Sequence, residues 1–164
     1  SSRIVVGSGL DTFTAQHLED ARGSAGTLGL ALDYHDVSSA LDIETGFRAA
    51  VERRTGGALV LTSPFLVTER PRVVALAGRH RLPTVFADRE AARDGALATY
   101  GVNNAELFRR AAGYVDRILR GASPAEMAIE QATKFELLVN ARVADELGIA
   151  LPQSLLLRAD EVIR

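Results

Sequence analysis

The stretch Ala58–Glu90, ALVLTSPFLVTERPRVVALAGRHRLPTVFADRE, decides how the chain folds. Two short apolar runs, Ala58–Thr62 and Pro83–Ala87, have the length and composition of buried strands. Ser63 and Pro64 form a turn after the first run. Between the runs, Thr68–His80 places Val73, Val74, Leu76 and Ala77 on one side of a helix, and Pro71 fits only near that helix's first turn. A strand, a helix and a second strand in this order predict a parallel pair joined by a right-handed crossover. Ala58–Thr62 is the most central-looking strand of the chain.

The same alternation extends outward. Arg3–Gly7 is a short β-branched run ending in glycine, followed by a turn at Ser8–Asp11 and a helix over Thr12–Ala25, with Asp11 or Thr12 as N-cap. Gly29–Val37 reads as a second strand. Ser38 or Ser39 can cap a helix over Ala40–Arg54, whose apolar residues include Leu41, Ile43, Phe47 and Val51. A short helix around Arg89–Asp94 and a fifth strand over Ala96–Tyr100 complete the repeat. The fold class is therefore α/β, a doubly wound parallel sheet with helices on both faces. Beyond Gly101 the pattern changes. Asn103 or Asn104 caps a long helix to Arg120, closed by Gly121 and Pro124. Leu107, Ala111, Tyr114, Val115, Ile118 and Leu119 give it a strong apolar face. A strand at Phe135–Val139 follows, then a helix over Ala141–Leu147 with Gly148 as its C-cap, then a last helical turn carrying Leu155, Leu156 and Val162.

Bulk composition narrows the function. The 164 residues are 47% hydrophobic and 24% charged, with a net charge of −2. That is ordinary for a globular domain and gives no electrostatic case for nucleic acid. Lys134 is the only lysine, so the positive charge is nearly all arginine. The chain has no cysteine, which removes disulfides, thiolate metal sites and cysteine nucleophiles. No apolar run reaches the roughly 18 residues of a membrane span. The opening SSRIVVGSGLDTF lacks the basic start and apolar stretch of a signal peptide.

Catalytic and cofactor motifs are weak. Gly7 and Gly9 have G-x-G spacing, but Thr12 stands where a dinucleotide loop needs its third glycine. The bland alternative is a strand-to-helix turn. Asp33, His35 and Asp36 are metal-ligand types, yet in a strand 33 and 35 face one way and 36 the other. A strand with one wet face accounts for them, and no metal or cofactor is expected. His17 and His80 lie on polar helix stretches. No nucleophile–base arrangement is visible. The ends of parallel strands remain the place to look for a ligand. Ser63, Phe65, Asp88, Tyr100 and Asn103 all fall at or just beyond the third, fourth and fifth strands. Aromatic rings there can stack on a solute, and serine or asparagine can hydrogen-bond it. Each also has a plain alternative: Phe65 plugging the core, Asp88 or Asn103 capping a helix.

Four phrases in order carry a resemblance: RLPTVFADRE (81–90), TYG (99–101), LFRRAAGYVDRILRGASPAE (107–126) and TKFELLVNARVADELGIALPQSLLLRADEVI (133–163). Together they resemble the ABC-transporter substrate-binding proteins associated with tryptophan and tyrosine uptake. The likeness covers residues 40–164 and, more loosely, the first strand and helix. Departures are ATYG where SYG is usual and IEQATKF where VEQPTKF is usual. The resemblance implies one lobe, residues 1–164, of a two-lobed, periplasmic-binding-protein-like receptor that is not an enzyme. In such a receptor two α/β lobes close over a small solute, an aromatic amino acid or another, and the loaded receptor docks on an ABC permease. Residues 99–103 would lie at a hinge and Ser63, Pro64 and Phe65 in a loop facing the cleft, with Tyr100, Gly101 and Asn103 close to it. The receptor would sit in the periplasm or be anchored outside the membrane. A first lobe and a signal sequence would then belong upstream. Helix 104–120 would pack on that lobe, fold back on its own sheet, or mediate a homodimer. The alternatives from other classes are a ligand-sensing domain of a signalling protein and a nucleotide-binding enzyme domain built on the Gly7–Gly9 turn.

Overall fold

The computed structural model describes residues 2–7, 12–128 and 134–164. The expected turn at Ser8–Asp11, including Gly9 of the glycine pair, lies outside the described residues. Among the described residues seven strands form one sheet in the order β2-β1-β3-β4-β5-β6-β7. They are β1 (Ser2–Gly7), β2 (Ala31–Asp36), β3 (Ala58–Val60), β4 (Thr84–Phe86), β5 (Ala98–Val102), β6 (Phe135–Asn140) and β7 (Glu161–Ile163). The first five are parallel, with Val6 beside Val60, Val60 beside Phe86 and Phe86 beside Thr99. β6 runs antiparallel to β5, and β7 runs parallel to β6.

The helices are α1 (Thr12–Thr27), α2 (Ala40–Glu52), α3 (Pro64–Thr68), α4 (Arg70–Arg79), α5 (Glu90–Asp94), α6 (Asn104–Leu119), α7 (Ala141–Leu147) and α8 (Gln153–Leu156). The step from β1 to β2 goes outward and the step from β2 to β3 comes back past β1. Right-handed crossovers therefore put α1 and α2 on opposite faces. α2, α4 and α5 pack together. They bury Ala58, Val60, Thr84, Phe86 and Thr99, the alternate residues of β3, β4 and β5. Ile43 and Phe47 of α2 and Val73 and Val74 of α4 join them in one apolar core. The other alternate residues, Leu59, Val85 and Tyr100, face a trough of about 910 Å³ bordered by α1.

The local signals explain most boundaries. Ser39 caps α2, and its hydroxyl accepts from Asp42 N at 3.2 Å. Gly148 ends α7 at φ 71°, a left-handed position that glycine adopts without strain. Three expectations need correction. The turn expected at Ser63–Pro64 opens a short helix, α3, which Ser63 caps with Pro64 at its first position, so the helix expected over Thr68–His80 begins two residues later, as α4. The break falls at Glu69, which serves as C-cap of α3 and N-cap of α4. The closing helical turn stops at Leu156, and Val162 lies in β7, paired with Val139. Finally, β5 runs to Val102, so Tyr100 is mid-strand rather than its last residue, and Gly101 is inside the strand rather than past its end.

Helix α6 does not fold back on its sheet. None of its residues is buried, and Phe108 and Leu119 are 76% and 81% exposed. Its amphipathic stripe is thus present, and it is largely exposed among the described residues.

Candidate functional site

At the C-terminal edge of the parallel strands, β3 leads into Ser63, β4 into Asp88 and β5 into Asn103. The register of β3, β4 and β5 places these three exits in a row. Each of the three side chains already has local work. The Ser63 hydroxyl accepts from Leu66 N at 3.1 Å and caps α3. Pro64 is exposed, and Phe65 is half-buried against the core, so the plain reading of Phe65 holds in part. Asp88 accepts from Glu90 N at 3.3 Å and forms a close ion pair with Arg70. Asn103 caps α6, its Oδ1 accepting from Glu106 N at 3.0 Å. A small crevice between the ends of β3 and β4 is lined by Thr62, Leu66, Val67, Arg70 and Asp88.

Arg70 sits between two carboxylates. Its Nε donates to Asp94 at 2.6 Å, and its Nη1 meets Asp88. The hydrogen bond to Asp94 holds its guanidinium above the ordinary value, against the cost of partial burial, and the charge of Asp88 adds to the effect. Arg70 is therefore a fixed cation at the edge.

Gly101 is the tightest point. A Cβ there would lie 1.9 Å from the Ala87 carbonyl oxygen and 3.1 Å from Ala87 Cα. Only glycine lets β5 pass the end of β4 this closely. Tyr100, in contrast, is 59% exposed and turns toward the trough, where its ring stacks on Phe135 with centroids 5.6 Å apart. The structure thus brings Ser63, Asp88, Gly101 and Asn103 to one edge and sends the Tyr100 ring to the sheet face.

A second group of charges was not picked out by sequence reasoning. Arg89 Nη1 donates to Glu136 at 2.9 Å, and its Nη2 donates to Glu161 at 3.1 Å. Asn103 Nδ2 donates to the same Glu136 at 2.7 Å. Arg89 stands 47 residues from Glu136 and 72 from Glu161, so no local pattern announces the cluster. The only signal was the charged triplet Asp88-Arg89-Glu90 after a strand.

The metal-ligand types fall elsewhere. Asp33 pairs with Arg53 at 3.3 Å, and the His35 ring lies against Gly46, where a Cβ would be 2.4 Å from His35 Cδ2. Among the described residues no three His, Cys, Asp or Glu side chains gather as a metal site. Also among the described residues, no helix is long and apolar enough to cross a membrane.

The family model for ABC transporter substrate binding protein matches residues 4–163. The chain belongs to that family. Solved structures show the same fold. A conserved domain protein from Vibrio cholerae superposes with a TM-score of 0.86 at 23% identity, over 98% of this chain and 54% of that one. The ABC domain from Streptococcus pneumonia in complex with L-Trp gives 0.87 at 21% identity, over 99% and 56%. A ligand-free, open substrate-binding protein with adhesive properties from Clostridium difficile gives 0.70 at 18% identity, over 99% and 54%. The chain thus spans little more than half the length of these solved structures. No curated protein sequence matches it.

Proposed function

We propose that this substrate-binding chain is one lobe of a two-lobed receptor that captures a small solute for an ABC permease. The observation that carries this reading is the exit from the sheet. β5 leaves beside the Ser63–Asp88 edge, β6 returns antiparallel to it, and the amphipathic α6 between them buries none of its residues. In the proposed receptor α6 seats on the companion lobe, and residues 99–103 act as a hinge strand. Solute lies between the lobes, against Ser63–Phe65, Asp88 and the Gly101–Asn103 exit. Closure then shifts the receptor toward the form that docks on the permease. An amino acid is the first candidate, and an aromatic one is favoured by the neighbour of like fold that holds L-Trp. The role is non-catalytic: the serine, asparagine and carboxylate at this edge serve as hydrogen-bond and charge partners. Its proposed place is outside the cytoplasmic membrane, where an importer's receptor meets its solute.

Saturation-transfer NMR on the purified chain, with a panel of amino acids and of unrelated sugars and nucleosides, tests the reading. One lobe offers one side of the contacts, so a dissociation constant of about 1 mM is expected for the preferred amino acid. Equal, non-saturating transfer from every compound would contradict it.

A further inference from the structure

The charges around Arg89 do more than hold a loop. Arg89 belongs to the loop that follows β4, beside Asp88 at the proposed solute edge. Its guanidinium fork engages β6 through Glu136 and β7 through Glu161. Glu136 is the most enclosed carboxylate in these pairs, its side chain 12% exposed. Its second oxygen takes the Asn103 amide, and the other end of that amide caps α6. One continuous path of hydrogen bonds therefore runs from the β4 loop, through Arg89, Glu136 and Asn103, to the first turn of α6.

α6 has no buried residue to fix its direction. Tyr114 Oη donates to Ala128 O at 2.7 Å within the segment that leaves α6, and at its first turn the helix is joined to the lobe by the β5 exit and this path. Arg is suited to the task because its planar fork grips two carboxylates at once, which a lysine ammonium on a flexible stem does not. We infer that Arg89, Glu136 and Asn103 are positioning residues that set the angle of α6 against the lobe. In the two-lobed receptor on which its functional meaning rests, that angle fixes how far the cleft opens. A solute touching the Asp88–Arg89 loop then acts on the same path.

The chain has no cysteine, so spin labels can be placed singly. Ala75→Cys on α4 and Ala112→Cys on α6 are both at exposed positions. The distance between them, read by double electron–electron resonance, reports the α6 angle without any solute. One narrow distribution is expected for the parent. Arg89→Ala broadens it about twofold, and Arg89→Lys recovers it only in part. Asn103→Ser keeps a good N-cap but loses the donor to Glu136, so it broadens the distribution while far-UV circular dichroism stays unchanged. Asn103→Asp also keeps the cap but sets a carboxylate against Glu136, and displaces the mean distance further. Arg22→Ala, which breaks an exposed pair on α1, leaves the distribution unaltered.

Distributions for Arg89→Ala and Asn103→Ser that superimpose on the parent would overturn the inference. A parent distribution already broad would overturn it as well. Neither result depends on solute binding, so failure of the positioning role and failure of the receptor reading are separable.

Discussion

Gly101 and Asn140 carry the most demanding geometry of the sheet's outer half. Gly101 has no room for a methyl group against the Ala87 carbonyl, and that neighbour is backbone, which cannot swing away. Gly101→Ala is expected to cost about 3 kcal/mol. The melting temperature should fall by about 6–12 °C for a chain of this size, measured by calorimetry. Asn140 is fully buried: its Nδ2 donates to Ala92 O at 2.8 Å, and its Oδ1 accepts from Val143 N at 3.0 Å. Asn140→Ala loses a cap and strands a buried acceptor, about 2–4 kcal/mol in urea unfolding. Asn140→Ser keeps the cap and should recover about half of that. Residue-level legibility was uneven. The glycine of TYG was visible as a motif, but the reason for it, a strand 14 residues earlier pressing on it, is a tertiary fact. Asn103 was read as a capping type and does cap, Ser63 was read as a turn residue and caps as well, and Arg89 gave no local sign of its distant carboxylates.

The elements follow from caps and periods, and α2 shows how a cap is tied to pH. Asp42 accepts from Ser39 Oγ at 2.8 Å, and from Ser38 N and Ser38 Oγ, each at 3.0 Å. These bonds, the Ser39 hydroxyl first, hold its carboxyl below the ordinary value. A depressed carboxyl contributes stability that is present above the unfolded value of about 3.9 and is lost as pH falls through the folded one. Asp42→Asn should therefore flatten the acid limb of stability against pH below about 4. It should leave the slope near neutrality unchanged, as urea titrations at a series of pH values would show. α2, α6 and α7 were legible because cap, apolar stripe and terminator agree. The short α3 was not, because Ser63-Pro64 serves equally as a turn and as a helix start. β7 was missed for a related reason: three residues are too few to show a period, and only pairing with β6 defines them.

At the scale of the molecule, the order β2-β1-β3-β4-β5 puts the strand exits in a row, and the β5–β6 pair carries the chain out to α6. The parallel strand–helix alternation, with a long helix and a strand after it, was legible in the sequence, but the strand order and the antiparallel return of β6 are set by tertiary pairing. The direction of the Tyr100 ring was not legible either, because it depends on where β5 ends. The exposed stripe of α6 has a measurable consequence. Phe108, Val115, Ile118 and Leu119 are all exposed, and covering such side chains is worth about 1.5–3 kcal/mol each. The isolated chain is expected to self-associate with rising concentration in sedimentation velocity runs, and Phe108→Asp with Leu119→Asp should abolish this. A parent chain that stays monomeric at every concentration would show that the stripe is no contact surface. The central claim, that a solute sits at the C-terminal edge of the parallel strands, is met most directly by amide chemical-shift mapping with the preferred amino acid. The account predicts perturbations clustered at Ser63–Phe65, Asp88–Glu90 and Val102–Asn103, with the trough around Leu59 and Val85 silent. Perturbations centred on that trough, with a silent edge, would contradict it.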